Sequence, residues 1–344
     1  SPRRRLAAAA ASGLRGAASM ARRAVAAAAA EPSMASSGGG ERGIARPAAV
    51  GGRPAVTRRG FSAFAGADEH MRAEVHAFAE MKPHPVTCRD ILSCLEPWRA
   101  AKFIHSEMPI RYAERIRWIE RIRDFERIPQ LAQVYWLHLD AFQAFRSVDR
   151  HPTLDAFTEV VQKAVDDQRE VVRLMATSMH KLQEVAGEYG ASFVDDFLDG
   201  FLLNRFSSNV LMSQYLALVK SRERPTGIID PRCDPAEVCR QAVGEVLRIT
   251  SDYTGQRPTI RVESRSASGS DNGAPRFPYI PSALRYIMVE LLKNSCRATV
   301  EISETEPALE ERPISIVVCA DDDRVAICTS DQAGGIPFDI GSHV

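Results

Sequence analysis

The stretch Val289-Glu290-Leu291-Leu292-Lys293-Asn294-Ser295-Cys296-Arg297-Ala298 places polar residues at 290, 293, 294 and 297 inside an apolar run. At roughly 100° per residue, Glu290, Lys293, Asn294 and Arg297 share one stripe of a helix, while Leu284, Ile287, Met288, Leu291 and Ala298 centre on another. One face can bury and the other can do chemistry. An ordinary amphipathic helix with a solvated polar face has the same spacing. Asn, however, is a weak helix former that a merely solvated face does not need. Here it lies between a carboxylate and two cations, where a metal-bound phosphate could be held.

Further along, the strand-like run Arg324 to Thr329 leads into Ser330-Asp331-Gln332-Ala333-Gly334-Gly335-Ile336-Pro337. A carboxylate at a strand end followed by small residues lets a backbone approach a ligand. Taken alone, that stretch is a turn.

The chain has 344 residues, 45% hydrophobic and 26% charged, enough for two domains with sizeable cores. No apolar run reaches the roughly 18 residues of a membrane span. Residues 1–60 hold 11 Arg against only Glu31 and Glu41, which leaves 33 basic against 42 acidic residues in the remainder. A neutral total therefore covers a basic leader and an acidic body, and such a body gives no reason to expect nucleic acid as a partner. The Arg-rich, acid-poor segment 1–65 reads as a disordered transit peptide, with arginine pointing to a mitochondrion and Arg59-Gly60-Phe61-Ser62 resembling a matrix-protease cleavage site. Met20 is a plausible start. Seven cysteines with no CxxC pair suggest reduced, buried thiols rather than a disulfide frame or a zinc site.

From 68 to 225 glycine is rare and apolar residues recur at three and four. Thr153 is a good N-cap for a helix of roughly 30 residues through Leu154, Phe157, Val161, Ala164, Gln168, Val171 and Met175. Helices are also expected near 111–127, 130–147 and 191–219, with Pro109, Pro129 and Pro152 marking starts and turns. A four-helix bundle is the simplest architecture. Arg111, Arg115, Arg117, Arg121, Arg123 and Arg127 alternate with Glu114, Glu120, Asp124 and Glu126, so a solvated, internally paired helix is expected there. His180 lacks the following Glu and Pro of a sensor-kinase phosphoacceptor and reads as a surface residue.

From 226 to 344 the pattern changes. A turn at 227–235 leads into a helix over 235–252, Thr259 to Glu263 alternates like a strand, and 266–274 is a polar loop. Ile314 to Cys319 and Val325 to Cys328 read as paired strands around Asp321-Asp322-Asp323. The fold class is thus α plus α/β: the bundle, then a layer of helices on a mixed sheet, an α/β sandwich.

The two stretches quoted first, in this order, resemble the N box and first glycine box of the ATPase superfamily shared by histidine kinases, gyrase and heat-shock chaperones. The fuller run Glu290 to Glu301 looks like the version in mitochondrial pyruvate dehydrogenase kinases and their branched-chain relatives. Phe103 to Ala113 resembles that family's "FLRQELPVRLA" segment, Phe197-Leu198-Asp199 with Asn204-Arg205 its "FLDRFYMSRIS" helix, and 227–233 its pyruvate-specific "GSIDPNC". The resemblance spans about 85 to 340 and carries no regulatory-domain histidine, since Asp166 to Val172 occupies that region.

Residue by residue, the resemblance implies an ATP- and Mg²⁺-dependent protein serine kinase acting on the dehydrogenase of the pyruvate (2-oxo acid) dehydrogenase complex. Glu290 would be the general base and Asn294 the metal ligand. Lys293 and Arg297 would support phosphate charge, Asp331 would accept the adenine amino proton, and Gly335 would line the nucleotide. Family members are dimers of the mitochondrial matrix and dock on the lipoyl domain of the acyltransferase core. Gln332 and Ala333 stand where the family has Arg and Gly, with Ala333 stiffening the loop. The family's lid and second glycine box do not follow Gly335 in this sequence, so the expectation is a truncated kinase domain, inactive as given. The alternatives are a non-catalytic member that only docks, or a branched-chain 2-oxo acid dehydrogenase kinase.

Overall fold

A computed structural model describes residues 65–148, 153–186, 193–220, 225–266, 276–303, 305–320 and 324–335. Expectations for the leader, Pro152, the loop beyond Ser266, the 321–323 turn and the His180 side chain fall outside them. The chain divides into two compact units: one runs to Pro85 and resumes over Ala100–Ser213, and the other takes Val86–Arg99 and the chain from Gln214. Among the described residues no helix is long and apolar enough to cross a membrane.

The first unit is helical, with α1 (Ala65–Ala79), most of α3 (Pro97–Glu120), α4 (Pro129–Ser147), α5 (Leu154–Ala186) and most of α6 (Phe193–Lys220). Pro129 opens α4, where a missing N–H costs nothing, and the Thr153 hydroxyl accepts from the Ala156 N–H at 3.3 Å to cap α5. The long helix expected from the spacing after Thr153 is therefore present. Its apolar stripe is buried at Phe157, Val161, Ala164, Val171 and Met175. Rings from three helices meet in the core: Phe145 lies 5.8 Å from Tyr112 and 6.1 Å from Phe157.

Two expectations need correction here. Pro109 does not start a helix; it sits inside α3. A mid-helix proline costs about 3 kcal/mol, but Ile104, Met108, Tyr112 and Ile116 around it are almost fully buried, each contributing about 1.5–3 kcal/mol. Burial thus outweighs the break. Nor is the arginine-rich helix uniformly solvated, because Arg111 and Arg115 are buried. Arg111 is held by Glu107 at 3.4 Å, the Ser207 hydroxyl at 2.7 Å and the His84 carbonyl at 3.0 Å. Arg115 donates to the Arg111 carbonyl and to Gln168 and stacks 4.2 Å from the Tyr112 ring. Outer members pair as expected, Arg117 with Glu120 and Arg127 with Asp124.

In the second unit, α2 (Cys88–Leu92) lies near a two-stranded antiparallel ribbon of β1 (Asp230–Cys233) and β3 (Phe277–Tyr279). Helix α7 (Pro235–Thr254) is capped by Asp234, which accepts from the Glu237 N–H at 3.0 Å, and ends at Gly255 with φ 74°. Helices α8 (Pro281–Ile302) and α9 (Glu306–Glu310) precede the last two strands. The sheet runs β2 (Ile260–Ser266), β4 (Ile314–Ala320), β5 (Val325–Ser330), parallel then antiparallel. The parallel pair needs a crossover, and α8 lies within it. Period-two alternation turns Ile314, Ile316 and Val318 inward to meet Val238, Ala242 and Val246 of α7 and Leu284, Met288 and Leu292 of α8 in one core. The opposite face of the hairpin exposes Cys319 and Cys328, so the expectation of buried thiols holds for Cys233, Cys239 and Cys296 and fails for these two.

Candidate active-site face of helix α8

Pro281 at the first turn fixes where α8 begins, and the helix then runs 22 residues. Its buried stripe is Leu284, Met288, Leu292, Ser295, Cys296 and Thr299; Ile287, Leu291 and Ala298 are only half-buried. Thr299 and Ser303 satisfy their hydroxyls on the carbonyls of Ser295 and Thr299, each at 2.7 Å. The anchored face therefore leaves Glu290 and Lys293 half-buried and Asn294 and Arg297 exposed on the other side. All four expected site residues share that face.

Both cations have carboxylate partners. The Lys293 Nζ donates to Glu290 Oε1 at 3.2 Å and Oε2 at 3.4 Å, and the Arg297 Nε donates to Glu301 at 2.7 Å. Hydrogen bonding to Glu301 raises the Arg297 pKa, so it stays charged. Burial pushes the Cys296 thiol up to about 11, which keeps it protonated and rules it out as a nucleophile beneath the site. The sequence reading missed these pairings, although i,i+3 and i,i+4 spacing announces both. It also passed over Tyr286, half exposed one turn before Glu290.

Strand β5 packs against α8 and delivers Asp331 at its end. Asp331 Oδ1 accepts the Ala333 N–H at 3.1 Å, which closes the turn and leaves Oδ2 as a further acceptor. Gly334 and Gly335 follow at φ 88° and 78°, a region that disfavours a side chain, although a Cβ at either would meet nothing within 4 Å. Glycine is needed there for the backbone path, not for space.

A metal ion would need help at this face. Among the described residues no group of three His, Cys, Asp or Glu could hold one. Asn294 offers a single neutral oxygen, which fits magnesium only as one ligand beside phosphate oxygens and water.

The family model described as "Mitochondrial branched-chain alpha-ketoacid dehydrogenase kinase" matches residues 91–239. The mitochondrial [pyruvate dehydrogenase (acetyl-transferring)] kinase of Drosophila melanogaster is 29% identical over 195 residues, 54% of this chain and 47% of its own. The human isozyme 4 is 26% identical over 284 residues, 78% of this chain and 68% of its own. The Arabidopsis thaliana enzyme is 29% identical over 245 residues, 69% and 64%. The chain thus spans between about half and two thirds of these relatives' length.

Proposed function

We propose that the chain is a kinase of the mitochondrial 2-oxo acid dehydrogenase kinase type, which transfers the γ-phosphoryl group of ATP to a serine of the dehydrogenase component and so inhibits that complex. The observation that carries the reading is the outward face of α8, where Glu290, Lys293, Asn294 and Arg297 gather beside strand β5, which leads into Asp331. Phosphoryl transfer asks a protein mainly for positioning and charge compensation. In this reading Glu290 takes the proton of the serine hydroxyl as its oxygen attacks the γ-phosphorus and ADP leaves. Asn294 would be a ligand to magnesium, which would supply charge compensation for the phosphate oxygens. Arg297 and Lys293 lie next to that charge, Asp331 accepts from the adenine amino group, and Gly335 allows the backbone to come close.

The helical first unit, with a four-helix bundle at its centre, serves docking on the lipoyl domain of the acyltransferase core. The second unit carries the nucleotide-binding sandwich, and the assembled protein is a homodimer. Import into the mitochondrial matrix follows from the basic leader 1–65; the relatives' names say mitochondrial. Pyruvate dehydrogenase is the substrate that the relatives' names favour, whereas the family model's description favours the branched-chain enzyme. Incubating the full chain with labelled Mg·ATP and each purified dehydrogenase tests both. Serine labelling of one of them, reduced roughly 10²-fold in Glu290→Gln with nucleotide binding retained, is the expected result. An active Glu290→Gln protein would remove that residue from the base role.

A further inference from the structure

We infer that Lys293 is a positioning residue for Glu290 rather than primarily a phosphate ligand; the inference rests on the kinase reading above. Its ammonium lies 3.2 and 3.4 Å from the two Glu290 oxygens, so it engages both ends of the carboxylate. The two side chains leave α8 three residues apart, on the same exposed face, and each is only about a third exposed, at 38% and 35%. Among the described residues no other hydrogen bond orients the Glu290 carboxylate. A glutamate on a helix surface samples several rotamers, and a base must stay within hydrogen-bond reach of the hydroxyl it deprotonates. An ammonium on the next turn limits those rotamers. Arg297 differs: it is bound to Glu301, further along the helix, and both side chains are largely exposed, at 80% and 60%. Such a pair is weak and screened, so Arg297 can turn to an arriving phosphate at little cost. Lys293 cannot do so without releasing the base.

The two roles predict different kinetics. A phosphate ligand that is lost weakens ATP binding, whereas a positioning residue that is lost slows transfer at saturating ATP and has nothing left to position once the base is gone. The test compares the full chain with Lys293→Met, Lys293→Arg, Glu290→Gln and the Glu290→Gln/Lys293→Met double variant. Calorimetry gives the Mg·ATP Kd and rapid quench gives single-turnover transfer to the dehydrogenase. Expected are a loss of about tenfold in transfer for Lys293→Met with Kd changed less than about threefold. Lys293→Arg should recover part of that rate, and the double variant should be no slower than Glu290→Gln. A tenfold weaker Kd with normal saturated transfer, or losses that multiply in the double variant, would overturn the inference and leave the kinase reading standing. Absence of ATP binding or transfer in the unaltered full-length protein would instead sink the kinase reading itself.

Discussion

The side-chain amide of Gln214 closes the turn at Gly227 from both sides, donating to the Thr226 carbonyl at 2.9 Å and accepting the Ile228 N–H at 2.8 Å. Gly227 sits at φ 72° under that amide, and a Cβ there would run into Gln214 Oε1, Cδ and Nε2. Backbone strain and collision act together. Gly227→Ala should therefore destabilise the second unit by about 1–3 kcal/mol, read as a lower urea midpoint. Adding Gln214→Ala should relieve the collision but leave the strain and two unmet backbone groups, so the double variant should not regain full stability. Wild-type stability in Gly227→Ala would show that the turn tolerates a side chain.

His138 lies buried in the first unit beside Arg115 at 3.5 Å. Burial first, then the Arg115 and Arg205 guanidiniums, holds its pKa well below the ordinary histidine value. The folded chain therefore keeps this imidazole neutral where the unfolded chain, with a pKa near 6.5, binds a proton. Below about pH 6.5 the unfolded state takes up more protons, so stability should fall as pH falls. The slope reaches at most about 1.4 kcal/mol per pH unit. Urea unfolding at pH 7.5, 6.5 and 5.5 should show this, and His138→Gln should lose that part of the slope. A variant with the wild-type pH dependence would assign the effect to other groups.

The contrast between those sites and α8 shows what a single sequence displays. The α8 face was legible because one strand-length or helical period decides it: Glu290, Lys293, Asn294 and Arg297 can share a stripe only in a helix, and Leu284, Met288 and Leu292 then point together to the core. Strands β4 and β5 were legible for a similar reason. Burial of Arg111 and Arg115 was not, since alternating Arg and Glu on a helix spells the same pattern whether the neighbours are water or Ser207 and Gln168. Pairings across 53 or 96 residues carry no local signal. Pro109 was misread because local propensity takes no account of the surrounding core.

The cysteines divide by the same logic. Cys319 and Cys328 are exposed on the outward face of the β4–β5 hairpin, while Cys233, Cys239 and Cys296 are buried. Burial raises each of the last three to about 11, so at pH 8 they are protonated as well as shielded. Ellman's reagent on the native chain should modify Cys319 and Cys328 within the first, fast phase, as mapped by peptide mass spectrometry, and reach the buried three only in denaturant. Fast labelling of Cys296 in native protein would contradict the packing of α8.

Asp331 offers a test of the nucleotide end of the face that is independent of the base. One of its oxygens is engaged by the Ala333 N–H at 3.1 Å, so the turn before Gly334 and Gly335 depends on an oxygen at that position but not on a charge. Asp331→Asn keeps that acceptor and the shape of the turn. It places an amide donor where the second oxygen was, facing the adenine amino group with donor against donor. Mg·ATP binding should weaken by about tenfold or more, corresponding to about 1.4 kcal/mol or more, while inorganic tripolyphosphate, which lacks a base, should bind as before. Asn294→Ala should give the opposite pattern, weakening magnesium tripolyphosphate and Mg·ATP alike. Calorimetric titration of both ligands against both variants separates the two ends of the site. Equal losses for ATP and tripolyphosphate in Asp331→Asn would mean that this carboxylate shapes the loop rather than reads the purine.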